Sequence, residues 1–136
     1  MSAMEKVAWT ELSTTMLAVV VVALFLPWLG AGAAGFFGLL ALGALGALFL
    51  RGWGERVVVD ERDREIGRRA TSLGVGTAWM TLLVALIAAT LWANHSQAGG
   101  VSTVFLNWLI WSQFALCYAV KGIAAIAMYR GRRHAA

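Results

Sequence analysis

The chain reads TSLGVGTAWMTLLVALIAATLWA over residues 71–93, a run that contains no Asp, Glu, Lys or Arg. A helix that rises about 1.5 Å per residue needs about 20 apolar residues to cross a hydrocarbon core about 30 Å thick. Lipid offers no partner to backbone N–H and C=O groups, and the run lacks the period-two alternation of a barrel strand. Residues 71–93 are therefore predicted to cross a membrane as an α-helix.

The same pattern extends over most of the 136 residues, of which 60% are apolar and 13% charged. No charged residue occurs between Glu11 and Arg51 or between Arg69 and Lys121. Each gap is long enough for two crossings, and each is divided by turn-forming residues, at 27–32 and at 94–100. The predicted fold is all-α, with four antiparallel transmembrane helices in one domain over residues 1–136. The predicted spans are about 12–29, 33–51, 71–93 and 102–122, with a loop at about 52–70.

A cleaved signal peptide is the alternative for the first span, since Ala31, Gly32 and Ala33 resemble a small-residue cleavage site. The stretch before the apolar run has one Lys against two Glu, so it lacks a clear basic region. We expect the segment to be retained.

Orientation follows from the distribution of Lys and Arg, which are held on the cytoplasmic side near the ends of spans. The turns at 27–32 and 94–100 carry no formal charge. The arginines of the loop and tail are Arg51, Arg56, Arg62, Arg64, Arg68, Arg69, Arg130, Arg132 and Arg133. Both termini are therefore predicted to be cytoplasmic. This topology explains the net charge of +4, so lipid, not nucleic acid, is the expected partner of the positive charges.

Aromatic residues fall near the predicted membrane surfaces, where amphipathic rings are common. Trp9, Trp53 and Tyr129 lie near the inner surface, and Trp28 and Trp92 near the outer one. We expect them to anchor the spans.

Small residues on spans two and three predict close helix packing, because lipid-embedded helices associate where small side chains let backbones approach. Leu40 is expected to point away from the glycine face of span two. The residues expected to pack are Gly35, Gly38, Gly43 and Gly46 in span two and Thr77 and Thr81 in span three. Packing inside the bundle is favoured, and a dimer face is the alternative.

Polar and ionisable residues inside a membrane are costly, so each is a functional candidate. Lys121 lies in span four with Asn107 and Tyr118 near its side, and Glu11 lies at the start of span one. Two interpretations stay open: a transport path lined by these four residues, or a lysine that snorkels to the headgroups and a solvated carboxylate. Both charges lie toward the cytoplasmic side and could pair, although nothing in the sequence requires it.

The loop before span three carries alternating charges, Asp60, Glu61, Arg62, Asp63 and Arg64. Asp60 is predicted to cap a helix that continues into span three, with acidic groups in the first turn complementing the helix dipole. Ion pairs at i, i+4 spacing are expected for Asp60 with Arg64 and for Glu65 with Arg69. The same five residues form a candidate docking surface for a partner.

Catalytic and metal-binding patterns are weak in this sequence. The loop carboxylates are hard-ion ligands, but neighbouring arginines compete for them. His95 and His134 lie on opposite sides of the predicted membrane, and the single Cys117 cannot form an internal disulfide or a CxxC site. We therefore expect no metal, no cofactor and no enzymatic activity.

The loop reads VVVDERDREI over residues 57–66, followed by Arg68, Arg69 and Ala70. With four predicted spans around it, the chain resembles an uncharacterised family of small bacterial and archaeal membrane proteins whose central loop reads D-E-R-D-x-x-I. The resemblance implies a location in the cytoplasmic (inner) membrane. It also implies a membrane-bound partner for a cytoplasmic helix-turn-helix regulator, since such proteins are often encoded beside one.

Three functional hypotheses follow. The favoured one is a non-enzymatic membrane protein whose charged loop docks a cytoplasmic or membrane partner, without direct contact to nucleic acid. The second is a small transporter or channel that acts after self-association. The third is an accessory subunit of a larger membrane complex.

Overall fold

The protein is described by a computed structural model that covers residues 3–40, 60–96 and 99–131. These residues form three long helices, α1 (Ala3–Leu29), α2 (Glu61–His95) and α3 (Thr103–Gly131), and a 3₁₀ segment, Gly30–Gly38. The described part is entirely helical apart from short turns, which confirms the predicted all-α class. The predictions for Gly43, Gly46, Trp53 and the rest of residues 41–59 lie outside the described residues.

Three stretches of the described chain are long and apolar enough to cross a membrane: Glu5–Gly38, Glu61–His95 and Thr103–Gly131. Their exposed surface is rich in large apolar side chains, among them Leu24, Trp79 and Ile110. Such a surface is stable only in contact with lipid or another apolar partner. The chain is therefore a multi-pass membrane protein by length, composition and surface.

The first stretch reverses direction at Gly30. Gly30 has a φ of +52°, the left-handed conformation that glycine adopts most easily. Beyond it the rings of Phe25 and Phe36 stack with centroids 4.9 Å apart, whereas residues 11 apart on a straight helix are separated by about 16 Å. The 3₁₀ segment therefore folds back along α1, as the division at residues 27–32 predicts.

Leu40 corrects one packing expectation. It is buried in an apolar cluster with Ala18, Val22, Phe37 and Ala115, so it points into the bundle and not away from it. Gly38, two residues earlier, is exposed. Leu40 and Gly38 therefore lie on different faces, as the helical wheel predicts, but the face of Leu40 and not the glycine face packs against the bundle.

Helix α2 is longer than a membrane crossing. Its 35 residues extend about 52 Å, against about 30 Å for the hydrocarbon core. The loop residues from Glu61 onward are its first turns, which confirms the predicted continuous helix into span three. Helix α3 packs against both α1 and α2 and is the central element of the described fold.

Candidate functional site

The best-defined polar contacts lie where α1 begins, α2 begins and α3 ends. We call this region, residues 3–11, 61–70 and 121–131, the charged end. Its core is an apolar layer contributed by all three helices. The layer consists of Ala8, Ile66, Ala70, Ala125, Ile126 and Tyr129.

An ion pair joins α1 and α3 at the membrane side of this layer. The Nζ of Lys121 donates to Oε1 of Glu11 over 2.9 Å. The two side chains are largely covered, with 27% of Lys121 and 14% of Glu11 exposed. Lys121 also lies 5.8 Å from the ring centroid of Tyr118, within the range of a cation–π contact. Lys121 is thus held by Glu11 and Tyr118, and Glu11 is not a free interface carboxylate.

Hydroxyl groups beside Glu11 bind the backbone of their own helix. Thr15 is fully buried and donates to the carbonyl of Glu11 over 2.8 Å, and Thr14 donates to the carbonyl of Thr10. Such bonds satisfy a hydroxyl inside an apolar helix without a second helix. The carboxylate of Glu11 is left to pair with Lys121.

Two glycines let the helices approach closely around this ion pair, Gly122 between α3 and α1 and Gly74 between α2 and α3. A Cβ on Gly122 would lie 3.1 Å from the Cβ of Leu12, so the residues next to Lys121 and Glu11 are in contact. A Cβ on Gly74 would lie 2.6 Å from the carbonyl oxygen of Cys117 and 3.0 Å from the Cβ of Lys121. The backbone of α2 therefore lies directly against the turn of α3 that carries the lysine.

The start of α2 is fixed by its acidic residues. The carboxylate of Asp60 accepts from the N–H of Glu61 over 2.7 Å, which confirms the predicted cap. The hydroxyl of Tyr129 donates to Asp63 over 2.8 Å, and Glu65 pairs with Arg69 at 2.6 Å. Asp60 and Asp63 therefore have structural contacts within the chain.

Other members of the predicted docking surface point outward. Glu61, Arg62 and Arg64 are exposed. Glu61 and Arg64 lie away from the face of α2 that is buried through Ile66 and Ala70, whereas Arg62 is one turn before Ile66 on the same side of the helix. The five-residue loop surface thus separates into two anchoring residues and three exposed ones.

Tyr129 differs from its prediction as a membrane-surface anchor, because it is buried and bonded to Asp63. Trp9 is part-buried, and the guanidinium of Arg130 lies 5.2 Å from its ring centroid. Trp28 and Trp92 are strongly exposed at the opposite end, in agreement with an aromatic belt.

The four residues of the predicted transport path do not meet as one group. Glu11, Tyr118 and Lys121 come together, but Asn107 is exposed and lies 14 residues before Lys121, about 21 Å away along α3. A cavity of about 560 Å³ lies instead between α2 and α3 at the opposite end of the bundle. Its lining is mostly apolar and includes Ala85, Ala89, Trp92 and Phe105, and none of the four path residues.

The predicted packing residues that the structure describes face outward in the single chain. Gly35, Gly38, Thr77 and Thr81 are exposed, and a Cβ on either glycine would meet nothing within 4 Å. Within the described ranges, close backbone approach occurs at Gly74 and Gly122, which sequence reasoning missed. Their positions in the sequence could have indicated this close approach, since Gly122 is adjacent to Lys121 and Gly74 is the first glycine after the charged segment of α2.

Across residues 3–40, 60–96 and 99–131, no three His, Cys, Asp or Glu side chains form a group suited to a metal ion. The chemistry that this region offers is electrostatic and apolar contact. Comparison with known proteins found no matching family model, no matching curated protein and no matching solved structure. The resemblance to the D-E-R-D-x-x-I family therefore stays a prediction.

Proposed function

We propose that this chain is a four-span protein of a prokaryotic cytoplasmic membrane with both termini inside. The arginine distribution supports the orientation, because Arg62, Arg64, Arg68 and Arg130 are exposed at the charged end. The reversal at Gly30 supports a second span that returns toward that end.

In this arrangement the protein acts without catalysis, as a membrane anchor that docks a protein partner on the first turns of α2. The observation that supports the proposal is that the residues of these turns have two different roles. Asp60 and Asp63 hold the helix in place, while Glu61, Arg62 and Arg64 extend from it into solvent. A rigid helix with fixed charges of both signs suits recognition, because complementary charges select a partner and set its orientation.

The partner is a cytoplasmic protein with a mixed-charge surface, and a helix-turn-helix regulator is the candidate that the family resemblance implies. Another subunit of a membrane complex would fit the same surface. Direct nucleic-acid binding is not proposed, since the exposed face carries Glu61 among its arginines.

Site-specific photo-crosslinking in native membranes tests the proposal. A photoreactive residue is introduced singly at Glu61, Arg62 or Arg64, and products are identified by mass spectrometry. We expect one discrete product with a cytoplasmic protein from the exposed positions. The same probe at Ile66 is the matched control, because this side chain is buried and only 5% exposed.

Charge variants complete the test. Arg62→Glu with Arg64→Glu should remove the product, whereas Asp60→Asn should retain it, since Asn also caps helices. A product that survives the reversal, or that forms equally from Ile66, would contradict docking at this surface. Crosslinking to a second copy of the chain would favour the self-associating alternative instead.

A small transporter is the second candidate, and the Glu11–Lys121 pair is the observation that favours it. Ionisable residues within a membrane span often line ion or proton paths. If the protein is a transporter, Glu11→Gln or Lys121→Met should abolish transport, whereas charge reversal at Arg62 and Arg64 should have only a small effect on it. Docking predicts the opposite ranking for partner binding.

A further inference from the structure

Lys6 and Arg130 form an exposed cationic surface beside the part-buried ring of Trp9 at the charged end, which we call the Trp9 patch. Lys6 and Arg130 are exposed, and the guanidinium of Arg130 lies over the Trp9 ring at 5.2 Å from its centroid. Lys6 precedes Trp9 by three residues on α1, a spacing that brings Cβ atoms within about 5–6 Å. One aromatic ring and two cations therefore share one surface.

The relative position of the two helices in this patch is fixed by packing. A Cβ on Gly122 would lie 3.1 Å from Leu12 and 3.6 Å from the carbonyl oxygen of Ala8, so α1 and α3 touch within one turn of Trp9. Ala8 and Ala125 belong to the buried layer beneath the patch. The two cations are therefore presented by a rigid pair of helices.

The charges of the patch remain available to a ligand. The ion pairs of Glu65 with Arg69 and of Glu11 with Lys121 involve neither Lys6 nor Arg130. Glu5, the neighbour of Lys6, is buried and does not add to the exposed surface. The exposed side chains of the patch, Lys6 and Arg130, are thus both cationic.

The depth of the patch identifies the kind of anion that can reach it. Trp9 lies two residues before Glu11, about 3 Å along α1, and so directly at the start of the apolar span. Tryptophan favours the headgroup level of a bilayer, and interfacial Lys and Arg attract anionic lipids. A phosphodiester of a lipid headgroup lies at this level permanently.

From this geometry we propose that the Trp9 patch is a binding site for one anionic phospholipid, with Lys6 and Arg130 holding its phosphate and Trp9 lying against its glycerol region. The proposal rests on the membrane-spanning arrangement proposed above but not on the docking function. Its assay uses micelles, so it does not depend on which side of the membrane the patch occupies.

Native mass spectrometry of the full chain in mild detergent tests the site, with phosphatidylglycerol and phosphatidylcholine titrated in parallel. We expect the protein to retain one phosphatidylglycerol in preference to phosphatidylcholine. Lys6→Gln with Arg130→Gln should weaken this retention about 30-fold, since each interfacial Lys or Arg contributes about fivefold to affinity for anionic lipid. Arg64→Gln with Arg68→Gln removes the same charge elsewhere at this end and should leave retention unchanged.

Equal loss in the two double variants would overturn the site, because net charge alone would then explain binding. Unchanged retention after Lys6→Gln and Arg130→Gln would overturn it as well. Displacement of the lipid by millimolar inorganic phosphate would also contradict the proposal, since it would indicate a general anion site. Should the double variant melt at a lower temperature, Arg130→Gln alone, an exposed substitution, should still weaken retention about fivefold.

Discussion

The Glu11–Lys121 pair carries the main energetic cost at the scale of single residues. Moving a charge out of water is expensive, and a direct hydrogen bond at 2.9 Å between opposite charges offsets much of that cost. Removing one partner leaves the other charge in an apolar surrounding. Each of the two residues therefore compensates the charge of the other.

Lys121→Met is therefore expected to lower the free energy of unfolding in mixed micelles by about 1–3 kcal/mol, below the cost for a fully buried pair because both groups retain some exposure. Glu11→Gln should cost a similar amount. The double variant should cost clearly less than the sum of the two single changes, because no unpaired charge remains.

Lys6→Met is the matched control, since this lysine lies on α1 and is exposed. Its effect should stay within about 0.5 kcal/mol. Strictly additive effects of Glu11→Gln and Lys121→Met would show that the two residues do not stabilise each other.

At the scale of elements, α3 holds the described fold together because both neighbours approach it over glycine. Gly74 of α2 lies against Cys117 and Lys121, and Gly122 of α3 lies against α1. Helices in lipid gain little from apolar burial, so close van der Waals contact decides where they associate. The short distances at Gly74 therefore indicate the strongest constraint between α2 and α3.

Gly74→Ala should lower the free energy of unfolding by about 1–3 kcal/mol, because its Cβ would collide with the backbone of α3. Gly76→Ala is the control two residues along, where a Cβ meets nothing within 4 Å. Both substitutions raise helix propensity by the same amount, so the difference in stability between the two variants reflects packing. Equal stability of the two variants, measured by thermal unfolding in detergent, would contradict the close approach.

Sequence reasoning succeeded for most features that depend on local order, although the expected ion pair of Asp60 with Arg64, two residues that the structure describes, is not formed. The cap at Asp60, the Glu65–Arg69 pair and the turn near Gly30 each involve residues close in the chain. It failed where contacts join distant segments. Gly74 cannot be distinguished from Gly76 without knowing which face meets α3, and Tyr129 resembled a surface anchor until Asp63 was placed beside it.

At the scale of the whole molecule, the two ends of the bundle differ. The charged end has a three-helix apolar layer, an ion pair and the Asp63–Tyr129 bond, whereas the opposite end has an open cavity of about 560 Å³. Local stability in a protein follows the density of such contacts. The charged end is therefore the rigid part on which a docking surface and a lipid site can be built.

The separation of the two ends also allows the orientation to be tested. Arg64 and Ser96 are both exposed and lie 32 residues apart on or next to α2, about 48 Å along its axis. This length exceeds the 40–45 Å of a bilayer with its headgroups, so the two positions reach opposite aqueous sides if α2 crosses the membrane without strong tilt. Single cysteines at these positions report on the two sides.

In a Cys117→Ala background, Ser96→Cys is expected to react with an impermeant thiol reagent in intact cells, and Arg64→Cys only after permeabilisation. The arginines at the start of α2 are the physical reason, because positive charges are retained on the cytoplasmic side. The Cys117→Ala protein without an added cysteine measures background labelling. Labelling of Arg64→Cys in intact cells, with Ser96→Cys protected, would reverse the orientation and place the proposed docking surface outside the cell, out of reach of any cytoplasmic regulator.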